Sequence, residues 1–171
     1  YANPGAPGSK VTFKARYDNY IGGKYVAPSS GQYFENITPV TGKSYTQAAR
    51  STEEDINLAL DAAHAAADAW GKTAPAARAH ILLQIAEALQ ARAEEMARTI
   101  ALETGNALRT QARGEANLTA DIFRYFGGLA SELKGETVPL GEHVLSYTRR
   151  EPLGVVGAII PWNAPVMLGA L

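Results

Sequence analysis

The chain has 171 residues, 46% of them hydrophobic and 19% charged, with a net charge of −1, which is enough for one domain with a real core and is the composition of a folded chain. A near-neutral balance with no basic face argues against nucleic-acid or membrane-surface partners, and no apolar run reaches the roughly 18–20 residues that a membrane span needs. Cysteine is absent, so disulfides, zinc–thiolate sites and cysteine nucleophiles are excluded within these residues.

Residues 1–16 open on Tyr1-Ala2-Asn3-Pro4-Gly5-Ala6-Pro7-Gly8-Ser9. They lack the apolar core of a secretory signal and are expected to be a flexible leader on a cytoplasmic protein. Residues 17–136 form the next unit, strands first and then four helices. Tyr17 to Ile21 and Lys24 to Val26 flank Gly22-Gly23, a two-residue hairpin signal, because two glycines accept the positive φ of a type I′ turn. A strand over Gln32 to Ile37, a turn at Pro39-Val40-Thr41-Gly42 and a strand over Ser44 to Arg50 follow. Ser51-Thr52-Glu53-Glu54 predicts a capping box, with Ser51 as the cap and Glu54 at the third helical position. Ile56, Leu60, Ala63, Ala67 and Trp70 then share one helix face, and Trp70 is expected in the core. Gly71 ends that helix. Pro75 opens a second, whose face is Leu82, Ile85 and Leu89. A third runs from Ala93 to Glu103 and stops at Gly105. The fourth is expected from about Leu108 to Leu133, with Leu118, Ile122, Phe126, Leu129 and Leu133 as its stripe, and Gly135 ends it.

Residues 137–150 predict a hairpin arm, Thr137 to Leu140 and Val144 to Arg150 around Gly141-Glu142-His143. Residues 151–171 carry a last strand and a turn. Leu153 to Ile160 is apolar at every position, the pattern of a strand covered on both faces in a parallel sheet. Such a strand needs parallel neighbours, and no later strand occurs in the sequence to pair with it. The chain is therefore expected to be part of a longer polypeptide, and alone to aggregate or stay partly molten.

Pro161-Trp162-Asn163-Ala164-Pro165 follows that strand directly, where ligands bind in open α/β sheets. Pro161 removes a ladder donor. Trp162 offers a flat apolar wall. Asn163 offers a neutral N–H donor that can stabilise a developing oxyanion. His64, His80 and His143 are scattered, and no pair has metal-ligand spacing, so no metal site is expected. Glu53, Glu54 and Asp55 suit the first turn of a helix, and Glu94, Glu95 and Glu103 are read as a solvated face. Gly154 and Gly157 lie inside the strand and do not make a dinucleotide fingerprint.

The run Arg150-Glu151-Pro152-Leu153-Gly154-Val155-Val156-Gly157-Ala158-Ile159-Ile160-Pro161-Trp162-Asn163 resembles the aldehyde dehydrogenase signature that leads into the oxyanion-hole asparagine. Tyr20-Ile21-Gly22-Gly23-Lys24 resembles that family's N-terminal hairpin, Thr38-Pro39-Val40-Thr41-Gly42-Lys43 its Asn-Pro-x-Thr-Gly turn, and Phe123-Arg124-Tyr125-Phe126-Gly127 an element of its long helix. From Arg16 to Trp70 the wording is most like bacterial enzymes that oxidise acetaldehyde and similar short aldehydes. The resemblance implies an α/β fold: the N-terminal portion of the aldehyde dehydrogenase fold, with the outer helices and first strand of a Rossmann-like cofactor domain.

It also implies NAD- or NADP-dependent oxidation of an aldehyde to the acid through a cysteine thiohemiacetal. Asn163 would be the catalytic donor, and Ile159, Ile160, Pro161 and Trp162 would line the cofactor side. The 137–150 arm would pair subunits into a homodimer or homotetramer. Glu115 and the Ile37 carbonyl resemble a monovalent-cation site of the family. Two departures stand out: Ala164 replaces the usual Phe, and Met167 to Leu171 replaces a segment with Trp-Lys. Without a cysteine, these 171 residues alone are expected to be inactive. The alternative is a non-catalytic paralogue that acts as an oligomerisation module through residues 137–150.

Overall fold

The computed structural model describes residues 2, 4 and 6–171. Of the expected leader, Tyr1, Asn3 and Gly5 lie outside the described residues.

The first layer is a small sheet beside a hairpin. Its strands are β1 (Arg16–Tyr17), β2 (Asn19–Ile21), β3 (Lys24–Val26), β4 (Tyr33–Thr38) and β5 (Lys43–Ala49). β5 lies in the middle, parallel to β1 and antiparallel to β4, with Arg16 opposite Gln47 and Tyr33 opposite Ala49. β2 and β3 form the expected hairpin, and Gly22 and Gly23 both take positive φ, 57° and 81°, as a type I′ turn requires. The leader stretch is partly packed. Val11 is buried, and the Lys14 carbonyl accepts a hydrogen bond from the Thr46 hydroxyl at 2.7 Å.

Helix α1 (Glu53–Gly71) begins one residue later than expected. Thr52 is the cap and Asp55 stands at the third position, in place of Ser51 and Glu54. Tertiary contacts choose this register. Asp55 is buried and accepts hydrogen bonds from the amides of Thr52 and Ser29, each at 2.8 Å. These two amides hold its carboxyl below the usual carboxylate range. The Ser51 hydroxyl turns instead to the Asn19 side chain.

Helices α2 (Pro75–Ala91), α3 (Ala93–Thr104) and α4 (Arg113–Leu129) form the second layer. Leu82, Ile85 and Leu89 are half-buried along α2, as expected. Gly105 ends α3 with φ of 77°. A π-helical turn, Leu108–Ala112, leads into α4. The core lies between α3 and α4: Ala97, Ile100, Ala101, Ala112 and Ala116 are buried together, with Met96, Leu108 and Val166 against them. Alanines at the crossing let the backbones approach closely.

Two expected stripes face outward in this chain. Trp70 is 50% exposed, not core, and Leu118, Phe126, Leu129 and Leu133 are exposed along and beyond α4. The buried face of α4 is instead Glu115, Ala116, Thr119, Ala120 and Gly127. Spacing identifies an apolar stripe, but it cannot say which face meets α2 and α3. α4 also stops at Leu129, short of the expected Leu133.

An antiparallel hairpin forms within residues 137–150, with β6 (Thr137–Pro139) beside β7 (Leu145–Tyr147), both shorter than the expected strands. Residues 153–160 make no ladder among the described residues, and Leu153 and Ile159 are 96% and 100% exposed. A strand is defined by the neighbour that completes its hydrogen bonds, and none lies beside this segment. A short helix, α5 (Pro165–Ala170), closes the chain. Among the described residues no helix is long and apolar enough to cross a membrane.

Candidate active-site turn

Asn163 sits on the exposed turn between the 153–160 segment and α5. Its carboxamide makes no hydrogen bond among the described residues, so both N–H donors are free. Its backbone, by contrast, is anchored. The Asn163 carbonyl accepts a hydrogen bond from the Asn106 amide side chain at 3.1 Å. Asn106 is itself held in place, since its backbone N–H donates to the Thr104 hydroxyl at 3.1 Å. The preceding Gly105 lies so close to Pro39 that an added Cβ would stand 3.1 Å from the ring. Thr38, almost fully buried, donates its hydroxyl to the Leu102 carbonyl at 2.5 Å. The β4–β5 turn therefore braces the end of α3, and the end of α3 braces the Asn163 turn.

The other side is held from α4. Pro165 opens α5, where its missing N–H costs nothing. The next two amides, of Val166 and Met167, donate to Glu115 Oε1 at 3.2 and 3.4 Å. Val166 packs on the α3–α4 core. The four residues expected on the cofactor side, Ile159, Ile160, Pro161 and Trp162, are all exposed next to Asn163, with Trp162 at 78%. Together they present an apolar rim with one free amide beside it.

Asn106 and the grip of Glu115 on α5 were not foreseen. Glu115 carried a signal: a carboxylate spaced among Ala112, Ala116, Thr119 and Ala120, on the face of α4 that admits only small residues. The Ile37 carbonyl is on β4 and Glu115 is turned to α5. No group of three or more His, Cys, Asp or Glu side chains gathers at metal-binding distance among the described residues.

The strongest electrostatic perturbations lie away from the turn. Glu94 is exposed, as the sequence reading expected, and is also doubly paired. Arg113 donates to it at 2.8 and 2.9 Å, and Arg98 lies 2.6 Å away. The hydrogen bonds from Arg113, followed by the charges of Arg113 and Arg98, bring its carboxyl down to about 2 against some desolvation by its partners. Glu103 accepts the Tyr45 hydroxyl and the Asn36 amide, the latter at 2.9 Å. Burial first, then the bond to Glu103, push the Tyr45 phenol up.

Comparison with known proteins agrees with this architecture. An aldehyde dehydrogenase of Deinococcus radiodurans is 50% identical over 99% of this chain, which covers 33% of that protein. An acetaldehyde dehydrogenase of Pseudomonas aeruginosa is 49% identical, again over 99% of the chain and 34% of the relative. The chain thus spans about a third of the length of these relatives. The solved structure of an NAD-dependent aldehyde dehydrogenase from Sinorhizobium meliloti superposes with a TM-score of 0.88 at 33% identity, covering 99% of this chain and 34% of that one. The sequence profile of the aldehyde dehydrogenase family matches residues 25–171. That match takes in strands β4 and β5, the helical layer, the arm and the Asn163 turn, and on this ground the chain belongs to the aldehyde dehydrogenase family.

Proposed function

We propose that this protein takes part in the NAD(P)-dependent oxidation of an aldehyde to its carboxylic acid, with Asn163 as the oxyanion donor. In this reading a cysteine thiolate adds to the aldehyde carbon, and the carbonyl oxygen becomes an alkoxide. Asn163 donates its side-chain N–H to that oxygen. The carbon–hydrogen bond then breaks, and water aided by a glutamate cleaves the resulting thioester. A nicotinamide cofactor held beside Asn163 would supply the hydride acceptor. Ile159, Ile160, Pro161 and Trp162 form an apolar wall suited to a flat ring and keep water from it. The chain has no cysteine, so these residues contribute the oxyanion donor and not the nucleophile, and by themselves give no turnover.

One observation carries the reading: the Asn163 carboxamide is free and exposed while its backbone is anchored on both sides. An oxyanion donor needs this arrangement, because its hydrogen bonds must be aimed before charge develops. The name of the Pseudomonas aeruginosa relative supports acetaldehyde or a similar short aldehyde as substrate. The exposed Leu140, Leu145 and Tyr147 of the arm support its use in pairing subunits into a dimer or tetramer. The near-neutral charge balance favours neither nucleic acid nor a membrane surface as partner.

The test is Asn163→Ala in the full-length protein. Steady-state turnover of acetaldehyde should fall by about 10²–10³, with NAD+ binding and thermal stability unchanged. Turnover equal to that of the parent protein would overturn the assignment.

A further inference from the structure

Resting on that reading, we propose that Glu115 is a positioning residue that aims Asn163 by holding the two amides at the start of α5.

Glu115 is only 8% exposed, on the buried face of α4 beside Ala116, Thr119 and Ala120, just after the buried Ala112 of the π-helical turn. Among the described residues no Lys, Arg or His lies within ion-pair distance of it. A buried carboxylate without a cation is costly unless hydrogen bonds meet its charge. The hydrogen bonds that reach it come from the amides of Val166 and Met167, at 3.2 and 3.4 Å to one oxygen. Stabilising the fold does not call for a charge at this place, since an apolar side chain would suit the alanine-lined face better. What a carboxylate adds there is a fixed orientation for α5.

The six residues of α5 are too few to form a stable helix unaided, because isolated helices below about 12–15 residues are marginal in water. Their orientation therefore depends on what grips them: Glu115 at the first turn and Val166 against the core. Asn163 is three residues before Val166, with Pro165 limiting the freedom between them. A rotation of α5 re-aims the Asn163 backbone and swings its carboxamide. Asn106 holds the same turn from α3. The two anchors come from neighbouring helices of one packed unit, so the turn is clamped between fixed points.

The experiment is a double-mutant cycle on the full-length protein, reading kcat and KM with acetaldehyde and NAD+. Glu115→Ala should lower kcat about tenfold, the cost of a small misplacement of a catalytic donor, with KM for NAD+ held. Glu115→Gln keeps an oxygen that can accept the amides and should recover most of that loss. On the Asn163→Ala background, Glu115→Ala should cost nothing more, because a positioning residue has no effect once its target is gone. If Asn163→Ala lowers kcat but Glu115→Ala has no effect, or multiplies its full factor onto Asn163→Ala, the positioning role is wrong and the oxyanion role of Asn163 stands. If Asn163→Ala leaves kcat unchanged, both fall. Should Glu115→Ala fail to fold, Glu115→Asp, which keeps the charge and shortens the reach, runs the same cycle with the same outcomes.

Discussion

The root of the arm depends on a missing side chain. Gly135 is not at positive φ, so its requirement is steric. A Cβ added there would stand 2.6 Å from the Thr148 carbonyl carbon and 3.3 Å from the Arg149 nitrogen, and would press on the Thr148 carbonyl oxygen. Ordinary contact begins at 3.4 Å. All of these neighbours are backbone and cannot rotate away. Gly135→Ala must therefore open the arm where it leaves the helical layer. Two hydrogen bonds lie there, from the Thr148 amide to the Glu136 carbonyl at 2.8 Å and from the Glu136 amide to the Thr148 hydroxyl at 2.9 Å. At about 0.5–1.5 kcal/mol net for each, losing both costs about 1–3 kcal/mol. Hydrogen exchange of the Glu136 and Thr148 amides should then speed by roughly 5- to 150-fold, since every 1.4 kcal/mol is a factor of ten. Amides in α2 and α4 serve as internal controls and should not change. If exchange at Glu136 and Thr148 stays at the parent rate, the steric argument is refuted.

The other predictions concern the brace and the charged cluster. Gly105→Ala imposes a left-handed residue with a side chain, at about 1–2 kcal/mol, and pushes on Pro39 at 3.1 Å; in the full-length protein a lowered melting temperature with reduced aldehyde turnover is expected, and an unchanged melting temperature would contradict the close approach. Glu94→Gln removes a carboxylate whose pKa falls from the ordinary 4.5 to about 2 in the folded chain. A depressed carboxylate stabilises above its unfolded value, and the effect is lost as pH falls through the folded one. The gap in melting temperature between parent and Glu94→Gln should be full at neutral pH, narrow below 4.5 and close near 2; a gap that does not vary with pH would assign it to packing.

Local and long-range causes shape different parts of this chain. Turns and helix ends were legible because their causes are local. Gly22-Gly23 fixes a hairpin through positive φ at both residues, Gly105 ends α3 for the same reason, and Pro75 opens α2. The Asn163 turn was legible because Pro161 and Pro165 bracket it and an apolar run leads into it. The cap of α1 was missed by one residue, since two acceptable capping boxes overlap there and only Ser29, 26 residues upstream of Asp55, chooses between them.

The sequence by itself thus determined where elements begin and end, which residue types carry the chemistry, and the family resemblance. Tertiary structure alone decided which face of α4 is buried. Periodicity marked Leu118, Ile122 and Phe126, whereas close helix approach demanded Ala116, Ala120 and Gly127. Among the described residues the 153–160 segment has no strand beside it, and strand character resides in the pairing with a neighbour and not in the run of apolar residues. Tertiary structure alone brought Asn106 and Glu115, 57 and 51 residues from their partners, onto the backbone around Asn163. No local pattern encodes contacts at that separation; they exist only once α3 and α4 have packed.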